Sequence, residues 1–299
     1  MNWKAKALLH WMLSYAPLGN EIHYVIQRNV TKTLPRPAYR VENGLMHARN
    51  HMKSFSRYAD RDIEDASVYE FGAGADMFVQ LLLYSFGINR QVTVDLNKLL
   101  KTELVNDSIR KIENMSPDSF RRTPEKLVGN DGVEDLRKFY GIAYRAPFDA
   151  RSTGLADQSV DFIVSSETVQ FIPRKDLEEI LIECHRVLKK NAIVSLSINC
   201  DDIYAYVDPS ISVYNFLQYS DSLWRLYNSP KHYQNRLRHL DYLRLFASTG
   251  FEVVEDDCAE VTKQEADALK KITLDAKFQD YPLEELAVRT AHFVLRKNT

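Results

Sequence analysis

The chain has 299 residues, 45% apolar and 27% charged, with a formal net charge of -2. Such a chain can bury a sizeable core, and its composition excludes both a disordered polypeptide and an integral membrane protein. The near balance of charge, without a dense basic stripe, argues against a nucleic-acid partner.

The first segment, MNWKAKALLHWMLSYAP, sets Lys4 and Lys6 before an apolar stretch that His10 interrupts. No clear small-x-small cleavage pattern follows, and the stretch is too short to span a bilayer, so neither a signal peptide nor a membrane span is expected. It reads first as a lid or packing helix, and second as a basic, Trp-containing helix able to rest on a membrane surface. Residues 1–65 form an N-terminal helical cap broken by Pro17, Gly19, Pro35 and Pro37, with another turn at Asn43-Gly44.

Residues 66–200 carry the rhythm of a parallel α/β sheet. A strand from Ser67 to Phe71 leads into glycines, a helical run from Asp76 to Phe86 stopped by Gly87, and a second strand from Gln91 to Asp95. Residues 96–140 are a polar helical connection longer than a crossover needs, which implies an insertion. Strands follow at Ile142 to Tyr144, Val160 to Ser165 and Ile193 to Ile198. Between the last two lies an amphipathic helix from Asp176 to Lys190, with Leu177, Ile180, Leu181, Cys184 and Leu188 at helical spacing. Residues 201–249, rich in Tyr, Asn, His and Arg, read as a mostly helical acceptor-side insertion. Residues 250–299 then supply strands at Phe251 to Glu255 and Ala291 to Arg296. The fold expected is α/β and Rossmann-like, a seven-stranded mostly parallel sheet.

Chemistry concentrates in Val68-Tyr-Glu-Phe-Gly-Ala-Gly-Ala-Asp76, an acidic strand end followed by G-x-G in a strand-to-helix turn. A dinucleotide turn would place a further glycine where Met77 stands. Glu70 can instead complement a cationic ammonium, and Asp95, about twenty residues beyond the turn, can accept the two hydroxyls of a ribose.

Over roughly residues 66–200 the chain resembles class I S-adenosylmethionine-dependent methyltransferases. EFGAG resembles their first motif, VTVDLN the second-strand acidic motif, Phe148-Asp149-Ala150 the Asp-Ala pair, SVDFIVSSETVQFIP the fourth strand and its loop, and ECHRVLKKNAIVSLSI the segment closing the core. The resemblance implies S-adenosyl-L-methionine as cofactor, held by Glu70, Phe71, Gly72, Gly74, Asp95, Leu96, Asp149, Ala150 and Ser165, with Asp149 at the adenine amine. It departs from the family at Asp76, where a third glycine is usual, at Val169-Gln170-Phe171-Ile172, which lacks a familiar His, and at Asn191-Ala192, in place of a glycine pair. Asp76 is expected to cap the following helix. The flanks YRAPFDAR, DPSISVYNFLQYS and YQNRLRHLDYLRLF resemble bacterial methyltransferases of surface-glycan and secondary-metabolite pathways. That implies O-methylation of a sugar in a surface polysaccharide or its precursor, with a sugar or glycan-lipid acceptor. A small-molecule acceptor and a non-catalytic scaffold subunit are the alternatives.

A hydroxyl acceptor needs a general base near the ends of strands four and five. Glu167, Asp201, Asp202, Asp208, His232 and His239 qualify by position, and Asp202 and His239 are favoured, although His239 also fits a semi-buried structural role. His47 and His51 share helical spacing but lack the Glu of a zinc hydrolase motif and read as surface or cap residues. His185 reads as a packing residue, and no metal site is expected. Tyr204, Tyr206, Tyr214, Phe216, Tyr219, Trp224 and Tyr227 form either sugar-stacking walls or an aromatic core. Cys184, Cys200 and Cys258, odd in number and far apart, fit reduced thiols and a cytoplasmic protein, which a membrane-resting helix would place at the inner face of the membrane. A homodimer is compatible with the sequence.

Overall fold

The computed structural model describes residues 1–115 and 117–298. The cap comprises α1 (Trp3–Tyr15), α2 (Gly19–Asn29) and α3 (Ala38–Tyr58). The core then runs β1 (Ser67–Phe71), α4 (Phe78–Ser85), β2 (Arg90–Val94), α5 (Thr102–Met115), α6 (Gly132–Tyr140), β3 (Ile142–Arg145), β4 (Val160–Ser166), α7 (Arg174–Val187) and β5 (Leu188–Asn199). Beyond it lie α8 (Asp221–Trp224), α9 (His239–Ser248), β6 (Phe251–Cys258), α10 (Lys263–Lys270), α11 (Leu283–Ala287) and β7 (Thr290–Lys297).

The strands form one seven-stranded sheet in the order β3-β2-β1-β4-β5-β7-β6. β1 to β5 pair in parallel, whereas β7 runs antiparallel between β5 and β6. The order reverses between β1 and β4, and the crevice outside the carboxyl ends of such strands is where open α/β sheets bind ligands. Val68 and Phe162 pack under α3, α4, α5 and α6 on one face; Tyr69, Phe71 and Ile163 pack under α7 and α9 on the other. Alternation along β1 therefore sends successive side chains to two cores, and the run needs no polar face.

Several boundaries differ from the sequence reading. Asn43-Gly44 is no turn, because α3 passes through it. Gly44 is required there since a Cβ would stand 2.7 Å from the Phe78 ring, so its smallness brings α3 close onto α4. The helix expected to reach Lys190 stops at Val187, where Leu188 turns extended and pairs with Val160, giving a β5 of 12 residues. Residues 201–249 are mainly irregular, with short 3₁₀ turns and helices only at α8 and α9. Buried side-chain hydrogen bonds and an aromatic cluster, not helical ladders, order this segment: Tyr204, Tyr214, Phe216 and Trp224 pack with Trp3 of α1.

Candidate active site

β1 delivers the chain into the crevice through a turn whose two glycines do different jobs. Gly72 has φ +90° and Gly74 φ +70°, a region costly for residues with a Cβ. A Cβ on Gly72 would lie 2.2 Å from Oγ1 of Thr168, so the glycine here admits the loop after β4. A Cβ on Gly74 would meet nothing within 4 Å, so the open side of the turn is at Gly74.

The acidic residues differ as sharply. Glu70 pairs in register with Thr93, whose hydroxyl donates to its carboxylate at 3.1 Å. Burial pushes Glu70 up to about 8, against the opposing hydrogen bonds of Gln80 and Thr93. Asp95 accepts the Gly74 amide at 3.1 Å and the Asn97 amide at 2.9 Å, which fixes the second-strand carboxylate against the glycine turn. Burial raises Asp95 too, with those amides working against it. The next side chain, Leu96, is 68% exposed and free to cover a planar ring. Asp149 lies on the rim, chelated by the Arg151 guanidinium and held below the usual carboxylate range by that pairing; Ala150 beside it is half-buried.

Phe71 and Ser165, both assigned to the cofactor from sequence, face inward instead. Phe71 is core, and the Ser165 hydroxyl donates to the Phe71 carbonyl at 3.0 Å, tying β4 to β1. The N-cap position of α4 is Met77, in the left-handed region with no side-chain cap bond of its own, and the expected contact at the helix start comes from Asp76, whose carboxylate accepts the Phe78 amide at 3.4 Å. The same carboxylate is taken by Arg36, Nε donating at 2.8 Å and Nη2 at 2.9 Å, and the same guanidinium lies over the Phe78 ring.

The two favoured bases occupy structural positions. Asp202 is fully buried; it accepts the Tyr204 amide at 2.9 Å and the Asn215 side chain at 2.8 Å, and burial lifts it to about 6. His239 opens α9 with Nδ1 2.8 Å from Glu285, Nε2 2.9 Å from Asp256 and its ring stacked on Phe293. Asp256 belongs to β6, the third strand away from β4, so His239 is remote from the glycine turn. Asp201 is clamped by Arg289, Asp208 accepts the Trp3 amide at the start of α1, and His232 packs on His10 and Tyr204. His185 packs edge-on against Phe251.

Two residues read as surface or cap are interior. His51, wholly buried, bridges Ser195 at 2.8 Å and Ser166 at 2.9 Å; its neighbour His292 reaches Ser54, Ser195 and Ser197. His47, one turn earlier on α3, is buried with neither ring nitrogen hydrogen-bonded, its Nε2 lying 3.7 Å from Glu167. Glu167 precedes Thr168 and is held at φ +49° by its own amide, which donates to the Ser197 carbonyl at 2.8 Å, and by Gln170, which donates to its carbonyl. A left-handed glutamate at a strand end is a costly conformation of the kind found at functional sites. Burial would raise this carboxyl, but His47, Arg40 and Asn199 hold it below its usual range, hence ionised. The i, i+4 pattern of His47 and His51 was visible in the sequence, but nothing there indicated that α3 turns that face onto the ends of β4 and β5.

The strand order, the helices on both faces and the glycine turn at the end of β1 define the class I methyltransferase fold. Residues 119–196 match the methyltransferase domain family. No curated protein matches the sequence. Among solved structures, a protein of Pyrococcus horikoshii OT3 is similar over 91% of this chain and 98% of its own, at 12% identity and a TM-score of 0.50, a likeness of fold. An S-adenosylmethionine-dependent methyltransferase of Leishmania major is similar over 99% of this chain and 83% of its own (13% identity, TM-score 0.47), and one of Methanosarcina mazei over 82% and 96% (18% identity, TM-score 0.44).

The match to a methyltransferase domain supports methyl transfer as the activity, with S-adenosylmethionine as the cofactor. The residues fit that cofactor: Gly74 leaves room over the turn, Asp95 holds a carboxylate beside it that would accept ribose hydroxyls, Leu96 offers an exposed apolar surface, and Asp149 stands at the rim. No helix among the described residues is long and apolar enough to cross a membrane.

Proposed function

We propose that the protein transfers the methyl group of S-adenosylmethionine to a sugar hydroxyl of a bacterial surface polysaccharide or its precursor, with Glu167 as general base. The observation that carries this reading is the ionised, left-handed Glu167, one residue from the Thr168 that rests on the cofactor turn. Bound S-adenosylmethionine supplies an electrophilic methyl carbon on a sulfonium; the chain's own part is to place the acceptor oxygen in line and to take its proton. Glu167 accepts that proton at its carboxylate as the new C–O bond forms and the C–S bond breaks, and His47 behind it favours the charged carboxylate beforehand.

The surroundings support a polar acceptor. Asn199 donates to the Tyr206 hydroxyl at 3.2 Å, that hydroxyl donates to Asp201 at 2.6 Å, and the exposed Tyr206 ring offers a face on which a sugar can stack. The flanking runs that resemble glycan-pathway methyltransferases point the same way.

The test is label transfer from methyl-labelled S-adenosylmethionine to nucleotide sugars and glycan-lipid acceptors by the wild type and Glu167→Gln. The variant is expected to bind the cofactor normally and to lose about 10²–10⁴-fold in kcat. Unchanged turnover in Glu167→Gln would remove Glu167 as the base. Transfer only to apolar acceptors would overturn the sugar assignment.

A further inference from the structure

α1 is apolar on two sides. Its inner stripe, Trp3, Ala7, His10 and Leu13, is buried on the aromatic cluster of residues 204–227 and on His232. Its outer stripe, Leu8, Met12 and Tyr15, is exposed at i, i+4 and i+7. α2 packs beside α1 and exposes Ile22 and Val25 in its turn. At the tip between the helices, Leu18 is held at φ +57°, with Tyr15 75% and Leu18 71% exposed. An ordinary surface helix puts charge on its outer side; a contiguous apolar face of this kind marks an interaction surface.

Charge identifies the occupant. Within residues 1–40 the cations are Lys4, Lys6, Arg28, Lys32, Arg36 and Arg40, against Glu21 alone; Arg36 is paired with Asp76 and Arg28 with Glu103, which leaves Lys4, Lys6, Lys32 and Arg40, in a chain whose net charge is -2. Lys4 lies one turn before Leu8 on the outer stripe, and Lys32 lies just past the end of α2, beyond the Arg28 that pairs with Glu103. Lys4 and Lys32 therefore stand toward the open end of the hairpin, with exposed Met1 and Val30 beside them, and Tyr15 and Leu18 mark its tip. Trp11 stacks on Tyr15 with centroids 5.9 Å apart, and its indole N–H donates to the carbonyl of Leu226, itself exposed. Aromatic rings with one polar edge favour the boundary between headgroups and acyl chains.

We propose that the α1–α2 hairpin docks the protein on an anionic lipid surface, tip inserted and cations among the headgroups. A second copy of the chain is a poorer occupant, because this face carries Glu21 alone as counter-charge to its lysines. The inner stripe of α1 rests on residues 204–232, the segment that follows β5, so docking at the hairpin brings the acceptor side of the sheet to the lipid surface. The docking itself does not depend on which acceptor is methylated.

The experiment is co-sedimentation of the full chain with vesicles of phosphatidylcholine alone and of phosphatidylcholine mixed with phosphatidylglycerol, for the wild type, Met12→Ser/Leu18→Ser/Ile22→Ser and Lys4→Glu/Lys32→Glu. All five positions are exposed, and S-adenosylmethionine binding by each variant reports that the core is intact. Expected are binding to the mixed vesicles that weakens with salt, a loss of roughly tenfold or more in the serine variant, and about fivefold per cation removed in the other. The proposal is overturned if the wild type does not bind the mixed vesicles or if the serine variant binds as well as the wild type. It also fails if sedimentation velocity shows a dimer that the serine variant dissolves while vesicle binding is absent.

Discussion

Arg36 grips both oxygens of the Asp76 carboxylate, at 2.8 and 2.9 Å, so the N-terminal cap is fastened to the turn that ends β1. Where the methyltransferases that the glycine turn resembles usually carry glycine, the side chain here reaches outward to the cap. The backbone carbonyl of Arg36 also accepts from Lys111 on α5 at 2.7 Å, which joins cap, turn and α5.

Removing the guanidinium strands a largely buried carboxylate. Arg36→Ala is expected to lower stability by about 2–3 kcal/mol and to weaken S-adenosylmethionine binding, whereas Arg36→Ala/Asp76→Ala recovers part of the stability. Urea unfolding and titration calorimetry on the cycle check this; additive losses would mean that the pair is not coupled.

The two glycines of the turn should fail differently. Gly74→Ala adds a methyl to open space, costs about 1–2 kcal/mol through its left-handed backbone and lowers cofactor affinity. Gly72→Ala adds a clash with Thr168 to the same backbone cost, and Gly72→Ala/Thr168→Gly is expected to regain part of the loss. Thermal melts with and without S-adenosylmethionine separate the two effects.

Glu70 titrates unusually, and the sign of its effect follows from burial. The folded protein keeps its proton up to about pH 8 while the unfolded chain releases it near its ordinary value, so stability falls as pH rises between the two. In that window this group contributes a slope of about 1.4 kcal/mol per pH unit. Glu70→Gln is therefore expected to gain stability relative to the wild type from pH 5 to pH 8 in the absence of cofactor, and denaturant titrations across that range check it. A constant difference would mean that Glu70 is ionised in the folded state.

Under the hairpin the sign reverses. Burial, with Lys6 and other nearby cations, lowers His10 and His23 to about 4, and burial sends His232 well below its usual value. The stability that neutral histidines confer is present above about pH 6.5 and is lost as pH falls toward 4. Acid is expected to loosen α1 and α2 before the sheet, visible as a change in Trp3 and Trp11 fluorescence ahead of the far-ultraviolet dichroism. His10→Leu should move that change to lower pH.

The sheet was legible in the sequence because its strands are short apolar runs set off by glycine and by amphipathic helices. Glu70, Gly74, Asp95 and Asp149 were legible because spacing along a βαβ unit fixes where such residues fall. The acceptor side was not. Whether His47 is solvated depends on where α3 lies, and α3 is placed by Gly44 against Phe78 and by Arg36 on Asp76, both tertiary matters. Asp202 and His239 looked available because a carboxylate or imidazole near a strand end is ambiguous until its partners, Asn215 in one case and Glu285 and Asp256 in the other, come to it from distant sequence. Residues 201–249 were misread as helical because their apolar spacing serves packing on Trp3.

β7 is the last strand of the described chain, yet it lies inside the sheet, flanked by β5 and β6. Arg238, fully buried, donates to the carbonyls of Cys200, Leu286 and Val288 at 2.6 Å each, so the end of β5 is tied to residues translated just before β7. During synthesis the cofactor half of the sheet can assemble first, but β5 and β6 keep unpaired edges until residues 290–297 leave the ribosome. A ribosome stalled before that point would hold a chain whose glycine turn can form and whose acceptor side cannot close, with two open strand edges exposed to aggregation.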